Sequence, residues 1–348
     1  METFHFTYFH FFYLLFTFSY FIIFHFCYKK LAKFLNLYDI PDFNRKLHKK
    51  KIPLIGGLLI YIFFIFISLI DYYFLKIFSD FLYLNNKEFI SLIIFSSIFF
   101  FLGIVDDKFV LSADKKLFLY FFLILSFLAL NDLVLIKFIK FSFVQNYFYL
   151  GYFSFFFTAL SILLFLNSLN MFDGINLQSG FYSIFFLIIL FFKFNYSFLF
   201  LILIIVLLFF LFLNFQNKIF MGEGGINFIG IFLSYFVITA YNREIITYSD
   251  EIFLIMSILG FDLLRLALVR IFSGKHPFKA DKNHIHHRLI KKFSIYKTYL
   301  ILVFIIIFPY ILFLIYKNIL LSIIISLFFY ILVILKTNSK KFNHLKLF

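Results

Sequence analysis

Tryptophan is absent from this 348-residue chain, and cysteine occurs once, as Cys27. A single thiol excludes an internal disulfide, so Cys27 reads as a small apolar residue in the first apolar run. Charge is scarce: 14% of residues are Asp, Glu, Lys or Arg, and the acids number 17 against 32 Lys and Arg. Behind the opening METFHF there is neither a basic segment nor a small-residue cleavage site, so the first apolar run is expected to be retained as a span. No long polar linker or low-complexity arm interrupts the chain. One domain over residues 1–348 is therefore expected, with no soluble part to hold a nucleic-acid-binding face.

What fills the sequence instead is hydrocarbon. Hydrophobic residues make up 64% and aromatics 26%, with a mean hydropathy of +1.02, far beyond an ordinary soluble domain at about half apolar. Runs such as FLILIIVLLFFLFL and LILVFIIIFPYILFLIY approach the ~20 residues that a helix needs to cross the hydrocarbon layer. Barrel strands would instead alternate polar and apolar residues over short segments. The abundance of Phe (66) reads as a codon-composition bias, and the 23 Tyr would supply the interfacial belt that Trp often shares.

The expected fold is all-α, a polytopic integral membrane helix bundle of about eleven spans. They fall near residues 6–27, 54–70, 88–105, 117–136, 151–167, 179–193, 196–213, 224–241, 252–270, 299–316 and 318–335. Loops 28–53 and 271–298 and the tail after Leu335 are rich in Lys and Arg. Under alternating topology these segments share one side with loops 106–116, 168–178 and 214–223. Roughly three quarters of the Lys and Arg then lie on the side that the positive-inside rule makes cytoplasmic. The N-terminus is expected outside and the C-terminus in the cytoplasm.

Polar residues in so apolar a chain are costly and therefore informative, and they gather in five segments on that side. In GIVDDKFVLSADKKL, residues 103–117, the adjacent carboxylates Asp106 and Asp107 repel each other unless a cation or proton intervenes. Two solvated loop acids balanced by Lys108, Lys115 and Lys116 are the plainer alternative. In NSLNMFDGINLQSG, Asn167, Asn170 and Asp173 recur every three residues, which predicts one polar face of a helical turn before Gly174 ends it. In FQNKIFMGEGGINF, Glu223 sits in a glycine-rich turn that opens a span, so backbone N–H groups and the positive helix end are expected to face a ligand, phosphate above all. Lys218 and Phe220 precede it, a cation and a ring able to stack on a base.

The fourth segment, DIPDFNRKLHKKKIPLIGGL, carries Arg45, His48 and Lys51, a basic juxtamembrane loop that by itself suits anionic headgroups. The fifth, FDLLRLALVRIFSGKHPFKADKNHIHHRL, brings Asp262, Arg265 and Arg270 toward His284, His286, His287 and Arg288. Zinc is a rival occupant, but neither cysteine nor a regularly spaced carboxylate completes a ligand set, and Lys282 and Arg288 would repel a cation. Imidazoles donate hydrogen bonds to phosphate oxygens, so an anion clamp is the expectation. Acids for a divalent metal, bases for phosphates and an apolar exterior together suggest phosphoryl transfer at the membrane surface.

Over residues 39–289, these motifs in this order resemble the polyprenyl-phosphate N-acetylhexosamine-1-phosphate transferases, with phospho-N-acetylmuramoyl-pentapeptide transferase a more distant relative. The C-terminal spans and tail, 299–348, lie outside the resemblance. It implies ten or eleven spans and a site facing the cytoplasm, at the inner (cytoplasmic) membrane. It also implies a reaction in which a UDP-N-acetylhexosamine gives its sugar 1-phosphate to undecaprenyl phosphate, releasing UMP, as the initiating step of O-antigen or other cell-surface polysaccharide synthesis. Mg²⁺ would be the cofactor, with Mn²⁺ as a substitute, and the partners would be the two substrates and the bilayer, with a homodimer admitted and nucleic acid excluded.

By motif position the resemblance makes Asp106, Asp107 and Asp173 catalytic and Asn170 and Glu223 metal ligands. Arg45, His48, Lys116, Asn167, Phe220, His284, His286, His287 and Arg288 would bind substrate, with Phe220 stacked on uracil. Glu223 stands where the family usually has Asp, and Asn176-Leu177 stands where it usually has an acid followed by glycine. A transporter of an anionic or phosphorylated solute is the alternative, and it would require polar residues near the bilayer midplane and related halves. A family member that serves as a non-catalytic assembly partner is a third reading.

Overall fold

The computed structural model describes residues 8–41, 50–75, 86–274 and 283–338. Over these residues the fold is helical, as the apolar runs dictate: without water in the bilayer, backbone N–H and C=O groups must be satisfied within each segment. The helices are α1 (Tyr8–Leu35), α2 (Gly56–Ile70), α3 (Asn86–Phe109), α4 (Ala113–Leu130), α5 (Phe153–Phe172), α6 (Gln178–Lys193), α7 (Phe198–Phe215), α8 (Gly222–Asn242), α9 (Ser249–Ile255), α10 (Ser257–Phe272), α11 (Ile285–Lys292), α12 (Ile295–Tyr316) and α13 (Ile319–Asn338). Two hairpins of two-residue strands add to them: β1 (Tyr38–Asp39) with β2 (Ile52–Pro53), and β3 (Phe138–Ile139) with β4 (Phe148–Tyr149).

Every expected span falls on a helix, yet by length and hydropathy eight helices among the described residues can cross a membrane. The paired α9 and α10, bent by 82° at Met256, raise the number to nine if they count as one broken span. The expected span 252–270 is thus not one straight helix. At 16 residues α6 is shorter than a membrane-crossing helix, and the span expected to reach residue 136 ends at Leu130, followed by a short 3₁₀ turn. These features make the chain a multi-pass membrane protein.

At the centre lies α8, the one candidate span whose apolar window is wholly buried. Its main neighbour is α3, with α2, α5 and α6 completing the ring around it. Glycine allows this crowding. A Cβ on Gly57 would stand 2.3 Å from the Cα of Gly225, so the backbones of α2 and α8 are in direct contact there. The chain leading into α8 is also tied to that leading into α2: Phe220 N–H donates to Pro53 O, Gly56 N–H to Phe220 O and Gly57 N–H to Met221 O, each at 2.8 Å. The first amides of α2, which have no partner within the helix, are satisfied in this way.

Candidate active site

The C-terminal end of α3, the first turns of α4 and α8 and the last turn of α5 meet at one end of the bundle. Asp106, on the last turn of α3, is buried; its Oδ1 accepts the Leu111 N–H at 2.7 Å and its Oδ2 the Lys116 ammonium at 2.8 Å. The same Lys116 Nζ lies 2.5 Å from Oε2 of Glu223, which also accepts from the Asn170 side-chain amide. One ammonium therefore bridges two carboxylates 117 residues apart in sequence, and the two solvated loop acids of the plainer alternative are not what the structure contains. Behind them Asn227, one turn further along α8, donates to the Tyr120 hydroxyl, and Lys116 lies over the Tyr120 ring.

Asp107 points the other way. Its Oδ1 accepts the Glu223 N–H at 3.0 Å and its Oδ2 the Gly224 N–H at 3.4 Å. The glycine turn was expected to offer open amides to a phosphate. Instead two of the four otherwise unpaired donors at the start of α8 are taken by this carboxylate, which satisfies them and complements the positive helix end.

Asp173 caps the C-terminus of α5 and accepts a hydrogen bond from the Ser179 hydroxyl at the start of α6. Although its residue surface is partly open, protein surrounds the carboxyl; this loss of solvation, with repulsion from Glu223, pushes it up to about 6 against the opposing Ser179 hydrogen bond. Asn167 does not join the cluster: its amide reaches the Met171 sulfur at 3.5 Å. A spacing of three drifts about 60° per step around an α-helix, and the two steps from Asn167 to Asp173 do not keep one face. Asn176 turns toward the loop after α7, donating to Asn214 O and Asn217 Oδ1, while Leu177 takes the left-handed conformation at φ 68°. That backbone explains why a glycine suits position 177.

The histidines form the adjoining wall. His286 is buried, its Nδ1 lies 3.4 Å from the Gln178 side-chain nitrogen, and its ring presses on Gly174 so closely that a Cβ there would come within 2.0 Å of Nε2. Desolvation, followed by the neighbouring His287 and His284, lowers the His286 imidazole to about 3, so it is neutral near pH 7. His284 stacks parallel to it at 5.6 Å and binds Asp262 Oδ2 through Nδ1 at 3.0 Å. The His287 ring lies 4.2 Å from that of His286. Arg288, expected at the anion, instead binds the Asn338 side chain at the end of α13, because α11 turns that face toward the terminal helix. Phe220 is fixed through its backbone, as described above, and its ring is partly buried. Arg45 and His48 lie outside the described residues.

Among the described residues no three His, Cys, Asp or Glu side chains form a ready metal-holding group. The donors converging on Lys116 Nζ and Glu223 are nonetheless hard oxygens, Asp106 Oδ2 and Glu223 Oε2, with the Asn170 amide alongside, and this chemistry suits Mg²⁺. Ser179, Gln178, Tyr120, Asn227 and Tyr330 also belong to these contacts, and no motif in the sequence marks them. Polar residues at helical spacing on apolar helices are a weak signal, and only their partners across the fold reveal them.

The site and fold define a polytopic membrane protein with a cluster of acids, one lysine and a histidine wall at one end of the bundle. Residues 89–241 match the family model described as Glycosyl transferase family 4, a stretch that contains three of the five motifs. The chain is 28% identical over 271 residues to a probable undecaprenyl-phosphate N-acetylglucosaminyl 1-phosphate transferase of Bacillus subtilis (strain 168), covering 75% of this chain and 72% of that protein. It is 27% identical over 277 residues to the undecaprenyl-phosphate alpha-N-acetylglucosaminyl 1-phosphate transferase of Escherichia coli (strain K12), covering 76% and 71%. To the protein of the same description from Yersinia pestis it is 26% identical over 292 residues, covering 80% and 76%. The chain is thus similar to glycosyl transferase family 4 over residues 89–241 and, over about three quarters of its length, to undecaprenyl-phosphate N-acetylglucosaminyl 1-phosphate transferases.

Proposed function

We propose that the chain transfers N-acetylhexosamine 1-phosphate from a UDP-sugar to undecaprenyl phosphate, initiating a cell-surface polysaccharide such as O-antigen. The observation that carries this reading is the Asp106–Lys116–Glu223–Asn170 network, assembled from four helices at one end of the bundle. The names of the relatives support the same acceptor and sugar class. In the reaction an oxygen of the lipid phosphate bonds to the β-phosphorus of the donor. The bond from that phosphorus to the bridging oxygen breaks, and UMP leaves with that oxygen.

Asp107 is committed to the α8 amides, whereas Asp106 faces the shared cation. The role of orienting or deprotonating the lipid phosphate therefore falls to Asp106. Lys116 offers positive charge to the phosphates once they displace its carboxylate partners. Asp173 is able to hold a proton, and the neutral His286, packed on the adjoining Gly174, to donate a hydrogen bond. Asp106, Glu223 and Asn170 would hold Mg²⁺, or Mn²⁺ in its place, and the ion would neutralise charge on the diphosphate.

The distribution of Lys and Arg supports an inner-membrane protein with its N-terminus outside and its C-terminus and site cytoplasmic. Membranes containing the protein should release UMP from a UDP-N-acetylhexosamine only when Mg²⁺ and undecaprenyl phosphate are both supplied, and D106N should abolish release while the protein remains inserted. No UMP from any UDP-amino sugar would refute the assignment.

A further inference from the structure

Asp262, on α10, lies outside the acid cluster and is nonetheless the most heavily bonded carboxylate of the site region. Its Oδ2 receives His284 Nδ1 at 3.0 Å and the Ile285 N–H at 3.3 Å. Its Oδ1 receives Arg265 Nη2 at 2.7 Å and the Tyr330 hydroxyl at 2.8 Å. Arg265 continues the chain of contacts, donating from Nε to the Tyr330 oxygen at 2.8 Å and from Nη2 to Asn283 O at 2.7 Å. The backbone on both sides of His284 is therefore anchored to one buried acid and one guanidinium. Tyr330 belongs to α13, in the C-terminal segment beyond every motif, and α13 also receives Arg288 and Lys292 of α11 at Asn338 and the Lys336 carbonyl.

A carboxylate can only accept, so it fixes the proton of a neutral His284 on Nδ1 and leaves Nε2 as the nitrogen available to a ligand. His284 and Asp262 border a small pocket between α5 and α10 that Met171, Phe172 and Leu259 also line. The parallel stacking of His284 on His286, and of His286 on Gly174, carries the placement of this turn to the residue that follows Asp173. We propose that Asp262 and Tyr330 are positioning residues: they lock His284 in its Nδ1–H form and set the 283–286 turn, so that the terminal helix governs how the histidine wall meets the donor substrate. That the wall meets the donor rests on the function proposed above.

An Asn at 262 presents an N–H in place of one oxygen and cannot serve four donors, while Tyr330→Phe removes a single hydroxyl. The full-length protein, ¹⁵N-labelled at histidine only and with His284 assigned by a H284Q control, should show one Nδ1–H signature in the wild type. In D262N and Y330F the signature should become a mixture of tautomers. The donor KM should rise at least fivefold in both, with kcat and the acceptor KM within twofold of wild type. An unchanged His284 signature in D262N, or an unchanged donor KM in Y330F, overturns the proposal. If the wild type releases no UMP at all, the functional reading fails, and the histidine spectra still decide whether Asp262 and Tyr330 position the ring.

Discussion

The carboxylate of Asp107 receives the backbone N–H of Glu223 at 3.0 Å, so the acid next to the site's Asp106 begins the very helix that carries the site's glutamate. Replacing it with Asn keeps the shape and removes the charge at the helix start. D107N is expected to lose roughly 1 kcal/mol of stability, the usual worth of an N-terminal cap, together with activity. Thermal unfolding in detergent checks this, and a D107N protein as stable as wild type would contradict the capping role.

Lys116 holds Asp106 and Glu223 together as their common cation. In K116Q the two carboxylates face each other with no countercharge, and removing one partner of a partly buried pair costs on the order of 1–3 kcal/mol after allowance for solvent screening. K116Q should be stabilised by millimolar Mg²⁺ more than the wild type is, and should lose turnover by a factor of ~100 or more. Equal responses of the two proteins to Mg²⁺ would show that Lys116 does not stand where the metal binds.

Asp173 is held up to about 6, so between its ordinary value of 3.8 and 6 the folded chain binds more protons than the unfolded one. Its contribution to stability is full below that window and is lost as pH rises through it. If the ionised form works in catalysis, the acid limb of kcat/KM lies near 6. The Ser179 hydrogen bond favours the charged form, so S179A should move that limb to higher pH. A limb that stays in place or moves down would exclude Asp173 as its source.

A methyl group at 174 would collide with the His286 ring. G174A should therefore displace the imidazole and lower activity at least tenfold, with a stability loss of 1–3 kcal/mol typical of overpacking. The double variant G174A/H286A makes room for the methyl and should regain much of the lost stability without regaining activity. Thermal unfolding of the three variants measures this, and no recovery in the double variant would mean that the close contact is unimportant.

Much of this was legible in the residues. Twenty-residue apolar runs have no other way to satisfy their backbone in a membrane, so the helices could be placed from hydropathy alone. Asp106, Lys116, Asn170, Asp173 and Glu223 could be found because charges and amides are costly beside such runs. What hydropathy could not show is direction. Two adjacent acids look alike in sequence, yet successive residues on a helix point about 100° apart, which sends Asp106 to Lys116 and Asp107 to the α8 amides. Asn167 and Asn170 share the same spacing, yet only Asn170 reaches Glu223, while Asn167 turns to the Met171 sulfur. The break at Met256 has no proline to announce it, and Tyr330 is one of 23 tyrosines, distinguished only by what it meets across the fold.

The three backbone hydrogen bonds that join Pro53, Gly56 and Gly57 to Phe220 and Met221 make two remote stretches of chain behave as a single piece. Adding or deleting one residue within 53–57 would slide that seam and drag the Glu223 carboxylate off Lys116, although no side chain near the chemistry had been altered. Length in that short connection is thus as constrained as the identity of any acid in the cluster.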